Sequence, residues 1–146
     1  RELPGKAREL VAGIATHRKY PAKSTIFQEG EATSRMFVLA KGFVSFRQRQ
    51  KGPGNEITIG TLADIGEVFG ISALIGTSTT YSLTAICVEP CEVLEIDGKA
   101  LFGLCEKQPA EGVAIFRALT GIMADRLTGA REQLRNRLLP GLISHG

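Results

Sequence analysis

Apolar residues change their spacing twice along this chain of 146 residues. Near the N-terminus they recur at steps of three and four, at Ala7, Leu10, Val11 and Ile14. From residue 17 to residue 96, short runs of β-branched and aromatic residues alternate with turn residues, and after Ile96 the helical spacing returns. The pattern predicts an N-terminal helix over residues 1–16, a β-rich region over 17–96 and helices over 97–139.

The β-rich region divides into short predicted strands that are separated by turn residues. They cover residues 25–28, 36–40, 43–49, 56–62, 67–69, 81–88 and 91–96. The K-G-P-G-N stretch at residues 51–55 lies between two alternating runs and predicts the tip of a β-hairpin. Many short, evenly spaced strands are typical of a β-sandwich or barrel and not of a parallel sheet.

Two helices are predicted after the strands. Asp97 is placed to cap a short first helix, and Pro109 stands near the first turn of a long one over residues 110–138. The Pro-Gly pair at residues 140–141 is expected to end the long helix.

The long helix carries one apolar stripe, whose members include Phe116, Leu119, Met123, Leu127, Ala130 and Leu134. A helix of this length spans roughly 43 Å, more than a small β-domain covers. The stripe therefore predicts a homodimer in which two copies of the helix pack about a two-fold axis. The alternative is that the stripe docks only on its own domain.

Composition narrows the class of protein. Hydrophobic residues make up 43% of the chain and charged residues 23%, and no apolar run approaches the ~20 residues that cross a bilayer. With no secretory signal pattern at the N-terminus, we expect one soluble, cytoplasmic domain over residues 1–146, without a membrane partner. The net charge of +3 is spread along the chain and gives little reason to expect a nucleic-acid partner.

The reactive side chains do not form a recognisable catalytic or metal-binding set. The cysteines Cys87, Cys91 and Cys105 lack C-x-x-C spacing and have apolar neighbours, so we expect buried free thiols. The two histidines, His17 and His145, are expected to be exposed to solvent. We therefore predict no metal, no resident cofactor and no enzymatic activity.

The most informative stretch runs from residue 65 to residue 85. An apolar strand end leads to Gly70, a short helical turn over residues 71–75, a polar loop and a strand that begins at Tyr81. Such an arrangement can direct backbone N–H groups at an anion. The candidate ligand-binding residues are Phe69, Gly70, Ile71, Ser72, Thr79, Thr80 and Tyr81. The alternative is a polar turn before a strand.

Several short motifs, taken in order, resemble the cyclic-nucleotide-binding domain of the Crp/Fnr regulator superfamily. They are F-Q-E-G-E at residues 27–31, M-F-V-L-A-K-G at 36–42, G-E-V-F-G at 66–70 with S-A-L-I at 72–75, and C-E-V-L-E-I-D at 91–97. The G-E-V-F-G-x-S-A-L stretch is similar to stand-alone, single-domain members. The resemblance implies a mainly β domain, an antiparallel β-roll or cupin-like double-stranded jelly roll, with an N-terminal helix and a long C-terminal dimerisation helix.

Two charged residues of the ligand-binding pattern are missing from this chain. In that pattern, F-G-E-x-A-L supplies a glutamate for the ribose, and R-[ST]-A supplies an arginine and a hydroxyl for the cyclic phosphate. Here Ile71 takes the glutamate position, and Thr79 or Thr80 falls at the arginine position. We therefore expect no high-affinity cyclic AMP binding. A neutral or weakly anionic small effector could still bind the hydroxyls of Thr77, Ser78, Thr79, Thr80 and Ser82 and the backbone amides near Gly70.

These observations support three hypotheses of function. The first is an effector-sensing domain that signals through its C-terminal helix. The second is a ligand-free scaffold or regulatory subunit, whose roll is closed by Tyr81 and Ile71. The third is the sensor half of a truncated transcription regulator, since no DNA-reading helix fits after Leu134 in this sequence. The resemblance also leaves haem ligation by His17 or Cys87 open.

Overall fold

The chain is described by a computed structural model over residues 3–51, 54–74 and 79–145, the last seven by their backbone. The elements in chain order are α1 (Gly5–Ile14), β1 (Ala15–Tyr20), β2 (Thr25–Phe27), β3 (Arg35–Lys41), β4 (Val44–Arg49), β5 (Glu56–Leu62), β6 (Val68–Phe69), a 3₁₀ turn (Ile71–Leu74), β7 (Thr84–Cys87), β8 (Cys91–Asp97), α2 (Gly98–Lys107) and α3 (Pro109–His145). This order is the predicted one, with strands between a short N-terminal helix and a long C-terminal helix.

Two four-stranded antiparallel sheets form the roll. The first has the strand order β1-β8-β3-β6 and the second has the order β2-β7-β4-β5. Strands β4 and β5 pair as the predicted hairpin, and the Gln50 N–H donates to the Asn55 carbonyl at 2.8 Å near its tip. Residues 52–53 of the tip lie outside the described residues. The mainly β fold with antiparallel sheets is confirmed.

The predicted boundary of the first helix is wrong. Helix α1 ends at Ile14, and the residues from Ala15 to Tyr20 form β1, an edge strand that pairs with β8. Most side chains of β1 face solvent, so its sequence A-T-H-R-K-Y has no apolar alternation that would mark a strand. Its backbone pairing with β8 decides the structure instead.

Two hydrophobic clusters stabilise the domain. The first lies between the sheets and includes Phe27, Phe37, Leu39, Phe69, Tyr81 and Val93. The second joins the first sheet to the helices and includes Met36, Val68, Ile96, Leu101, Ile115 and Leu119. Alternate residues of β3 contribute to the two clusters because successive side chains of a strand point to opposite faces. Strand β3 therefore lies at the centre of the domain, with β6 beside it.

The C-terminal helices begin where predicted. The Asp97 carboxylate caps α2 by accepting a hydrogen bond from the Ala100 N–H at 2.8 Å, and Pro109 is the first residue of α3. The predicted end of α3 is wrong, because the helix continues through Pro140 to His145. A proline removes one helical N–H donor, but its fixed φ is that of a helix, so the helix can continue with one hydrogen bond fewer.

The cysteines are buried free thiols, as predicted. Cys87 and Cys91 belong to the cluster between the sheets, whereas Cys105 belongs to the cluster under the helices. Burial, together with the neighbouring Cys91, raises the pKa of the Cys87 thiol to about 12. Burial also raises the pKa of Cys105. The thiols of Cys87 and Cys105 are therefore protonated in the folded protein at neutral pH.

Above about pH 9 the folded protein is expected to lose stability through Cys87. An unfolded chain ionises this thiol near its ordinary pKa of about 8.5, whereas the folded protein keeps it protonated to about pH 12. Between these values the folded state binds more protons, so the free energy of unfolding falls by up to about 1.4 kcal/mol per pH unit. Urea denaturation from about pH 8 to about pH 11 measures the slope. In Cys87→Ala the slope should become shallower; an identical slope would contradict this assignment.

Candidate functional site

The cassette, meaning the stretch from Phe69 to Tyr81 that holds the candidate ligand-binding residues, contains a glycine with a left-handed backbone. Gly70 has φ +72°, and a Cβ at this position would lie 3.1 Å from the Arg35 carbonyl oxygen and 3.2 Å from the Phe37 ring. Only glycine combines this φ with so close an approach at little strain. The short helical turn follows as a 3₁₀ turn over Ile71–Leu74. The glycine and the turn are therefore present where the sequence predicts them.

The first candidate residues of the cassette face different clusters. The Phe69 ring is buried between the sheets. Ile71 is partly buried against the cluster under the helices, and Ser72 is half-buried beside it in the turn. Ile71 therefore does not close the interior of the roll together with Tyr81, as the scaffold hypothesis expects, because the two side chains belong to different clusters.

The segment that closes the cassette pairs with residues 30–33. Thr80 forms an isolated antiparallel bridge with Ala32, and the Thr33 N–H donates to the Thr79 carbonyl at 3.0 Å. The hydroxyls of Thr33 and Thr79 are also hydrogen-bonded to each other. Thr79 and Thr80 thus contribute to a backbone pairing. The other two predicted polar residues, Thr77 and Ser78, lie outside the described residues.

Tyr81 fills space between the sheets. Its side chain is buried, with 5% of the residue exposed, and its ring stacks on Phe27 with centroids 4.0 Å apart. The hydroxyl donates to the Arg35 carbonyl at 2.7 Å and accepts from the N–H groups of Arg35 at 3.1 Å and Ser34 at 3.4 Å. Tyr81 is therefore a fixed part of the core that also connects the cassette to the start of β3.

The described part of the cassette carries no charged side chain. Residues 69–74 and 79–81 contribute aromatic, aliphatic, glycyl and hydroxyl groups. A buried cyclic phosphate needs charge-assisted partners, each of which contributes about 1.5–3 kcal/mol. The site therefore combines the backbone frame of an anion-binding cassette with uncharged side chains.

A contact that the sequence did not predict joins α3 to the strand before the cassette. The guanidinium of Arg126 donates a hydrogen bond from Nη2 to the Val68 carbonyl. Burial lowers the pKa of Arg126, and the negative charge of Glu67 opposes this change. Burial and the neighbouring Asp64 raise the pKa of Glu67. Arg126 thus lies in a small polar cluster about one helical turn beyond Ile122, which packs in the cluster under the helices.

The face of α3 that was predicted to form a dimer is exposed over most of its length. Phe116, Met123, Leu127, Ala130 and Leu134 are exposed, and beyond Arg126 every side chain of α3 up to residue 138 faces solvent. Leu119 does not belong to this face. It is 8% exposed and packs in the cluster under the helices, because it lies at the edge of the stripe, one turn from Ile115 and Ile122, which pack in the same cluster.

An apolar groove continues this exposed face towards α2. Its volume is about 780 Å³, and its lining includes Phe102, Cys105, Val113 and Phe116. The rings of Phe102 and Phe116 meet edge to face with centroids 6.5 Å apart. Apolar side chains are thus exposed from the start of α3 to its distal part.

Residues 3–51, 54–74 and 79–145 contain no group of three or more His, Cys, Asp or Glu side chains that could hold a metal ion. His17 is partly exposed, and its Nε2 lies 2.9 Å from a Glu92 carboxylate oxygen. The side chain of His145 lies outside the described residues. None of the helices in the described part of the chain is long and apolar enough to span a bilayer.

Residues 17–108 match the cyclic nucleotide-binding domain family. The chain belongs to this family. Over 118 residues it is 30% identical to the cAMP-activated global transcriptional regulator CRP of Pasteurella multocida, a match that covers 81% of this chain and 54% of the relative. The protein of the same name from Haemophilus influenzae is also 30% identical, with 81% and 50% covered. The chain thus spans about half the length of these curated relatives, which are transcription regulators.

Solved structures of the same family have the same fold. The catabolite activator protein of Thermus thermophilus superposes with a TM-score of 0.73 at 26% identity, over 92% of this chain and 60% of that one. A cyclic nucleotide-binding domain from Methylobacillus flagellatus gives a TM-score of 0.81 at 15% identity, over 97% and 75%. The chain is therefore a cyclic-nucleotide-binding domain of the Crp type, and the resemblance seen in its motifs is confirmed.

Proposed function

We propose that this cyclic nucleotide-binding domain senses a small effector other than a tightly bound cyclic nucleotide and signals through α3. The observation that carries the proposal is a cassette with its glycine and 3₁₀ turn in place but without charged side chains in its described part. A neutral or weakly anionic effector matches these hydroxyl and backbone groups better than a cyclic phosphate does. Activation by cAMP is a property of the curated relatives, and the uncharged cassette is the reason to propose a different effector for this chain.

The proposed path of the signal is supported by the position of Arg126. Its guanidinium binds the Val68 carbonyl, two residues before Gly70, while the helix beyond it is exposed. A change in the cassette strand would alter this contact and with it the distal helix. An effector can shift such an equilibrium only if its affinity differs between the two arrangements.

The proposed partner of α3 is a second copy of this chain. Leu127 and Leu134 lie seven residues apart, which places them on one face of the helix, and Met123 and Ala130 continue that face at heptad spacing. A two-fold pairing would cover the exposed apolar side chains of both copies. In the proposed complex, the two copies transmit effector binding as a change in the geometry of the helix pair.

Cyclic AMP is expected to bind this chain about 100 to 10,000 times more weakly than it binds a relative with both charged anchors. Each missing charge-assisted contact contributes about 1.5–3 kcal/mol, and about 1.4 kcal/mol corresponds to a factor of ten. Isothermal titration calorimetry with cyclic AMP and cyclic GMP measures the affinity, with the CRP of Pasteurella multocida as the positive control. Saturable binding of either nucleotide at sub-micromolar concentration would refute the weak-binding part of the proposal.

A thermal-shift panel of small metabolites tests the sensing part of the proposal. A ligand at 100 times its dissociation constant stabilises a folded domain by about 2.7 kcal/mol. We expect at least one neutral or weakly anionic compound to raise the melting temperature, and Ser72→Ala to reduce that shift. Thr58→Ala, which removes an exposed hydroxyl on β5, is the control and should leave the shift unchanged. If no compound stabilises the chain, the sensing function fails.

The scaffold function is the second candidate, and Tyr81 is the observation that favours it. This residue, with Phe27, Phe37 and Phe69, occupies the space between the sheets, so the domain has a packed interior without a ligand. A scaffold would keep the dimer helix and respond to no metabolite. The sensor of a longer transcription regulator remains the third proposal, because the relatives extend well beyond the matched region.

A further inference from the structure

A charged cluster lies on the first sheet, on strands β1, β8 and β3. The Glu95 carboxylate accepts a hydrogen bond from Arg35 Nη1 at 2.6 Å, and its other oxygen lies 3.3 Å from Arg18 Nε and 3.4 Å from the Tyr20 hydroxyl. Only 6% of the Glu95 side chain is exposed, whereas Arg35 and Arg18 expose 40% and 55%. One buried carboxylate thus holds two arginines that reach solvent.

The cluster has an excess of positive charge. The two guanidiniums carry +2, and Glu95 contributes −1. The nearby carboxylates have other partners, since Asp97 caps α2 and Glu92 contacts His17. Each guanidinium has five N–H donors in a fixed planar fork. The contacts described for Arg18 and Arg35 use one donor from each in the bond or ion pair to Glu95.

The positions of the arginines are also fixed before any ligand arrives. They are bound to the two oxygens of the same carboxylate, which keeps like charges side by side in spite of their repulsion. Arg35 is held at its backbone as well, by the Tyr81 hydroxyl. Two adjacent, prepositioned guanidiniums are suited to bind the oxygens of one phosphate group through charge-assisted hydrogen bonds.

We propose that Arg18 and Arg35, held together by Glu95, form a binding site for a phosphate group. Its side chains lie outside the cassette, and the Tyr81 hydroxyl contacts only the backbone of Arg35. The source of the group is either free inorganic phosphate or a small phosphate ester. Tyr20 forms the wall of the site beside Glu95. None of the candidate cassette residues supplies a side chain to this phosphate site. A negative result for the phosphate site therefore does not decide the proposed function of the cassette, which is tested by separate experiments.

Titration of the full chain with inorganic phosphate, followed by the ¹⁵N NMR signals of the arginine side chains, tests the site. We expect saturable shifts of Arg18 and Arg35, and a loss of affinity of about tenfold or more in Arg18→Gln, which removes one charge-assisted contact. Arg35→Lys keeps the charge beside Glu95, so it should fold and bind several times more weakly. Arg49→Gln, an exposed arginine on β4, is the matched control and should bind like the unchanged chain.

Parallel titrations distinguish the source of the phosphate and exclude general screening. A phosphate ester is supported if adenosine 5′-monophosphate binds more tightly than inorganic phosphate and loses the same factor of affinity in Arg18→Gln. Equal affinity would support free phosphate. Equal shifts with sodium chloride at the same ionic strength, or equal phosphate binding by Arg18→Gln and the unchanged chain, would overturn the proposal and leave the cluster a structural link between β1, β8 and β3.

Discussion

Replacing Leu127 and Leu134 with glutamate is expected to convert the chain from a dimer to a monomer. These side chains are 55% and 60% exposed in the single chain, and the proposed helix pairing buries them. Burying each leucine contributes about 1.5–3 kcal/mol, so four leucines in two copies contribute roughly 6–12 kcal/mol. The glutamates would also place unpaired carboxylates in an apolar seam. A loss of this size weakens the dimer by more than a thousandfold.

Sedimentation velocity at micromolar concentration measures this change. The matched control is Thr128→Glu with Arg135→Glu, which places the same side chain at two exposed positions of α3, one residue after each leucine. The control variant should remain dimeric, since positions 128 and 135 lie beside the seam and not in it. If the unchanged chain sediments as a monomer, or both variants dissociate equally, then α3 does not dimerise through the proposed face.

Replacing Tyr81 with alanine is expected to lower the free energy of unfolding by about 3–5 kcal/mol. The change removes a buried ring from its stack on Phe27 and leaves a cavity between the sheets. It also removes the partner of the Arg35 N–H and carbonyl groups. Tyr81→Phe keeps the ring and loses only the hydroxyl, so a loss of about 1–3 kcal/mol is expected.

Urea denaturation at one protein concentration measures both Tyr81 variants. Ser82→Ala is the control at the neighbouring exposed position, where a change within about 0.5 kcal/mol is expected. If Tyr81→Ala has the same urea midpoint of unfolding as the unchanged chain, then Tyr81 does not stabilise the core. A larger loss in Tyr81→Phe than in Tyr81→Ala would contradict the role assigned to the ring.

The Tyr81 variants also separate the two main functions. A scaffold, whose own side chains fill the space between the sheets, should bind no metabolite as the unchanged chain or as Tyr81→Phe. A sensor should keep its response in Tyr81→Phe, since the ring and the cassette backbone are unchanged. The thermal-shift panel, repeated on Tyr81→Phe and Thr58→Ala, therefore compares the two functions on proteins of similar structure.

Local patterns were sufficient to predict most of the architecture. Steps of three and four, alternation and turn residues gave the order of helices and strands, and the hairpin between β4 and β5 followed from its loop. Asp97 and Pro109 marked helix starts because capping and the first turn depend on a few neighbouring residues. In each of these cases the determining interactions lie within a few residues. Gly70 was also predicted from its neighbours, but the close approach of the Arg35 carbonyl and the Phe37 ring adds a long-range reason for a glycine there.

Long-range contacts decided the features that the patterns did not predict. Strand β1 exists because β8 pairs with it, and Leu119 turns to the domain although it shares the spacing of the exposed face. Glu95 on β8 binds Arg18 on β1 and Arg35 on β3, and Arg126 on α3 donates a hydrogen bond to the carbonyl of Val68, which lies 58 residues earlier in the chain. Residue types and spacing determine which elements form and which charges the cassette lacks. Packing between distant segments determines which side chains fill the roll, which side chains remain exposed on α3 and which charged groups form ion pairs. These features depend on distances in space and not on distances along the chain.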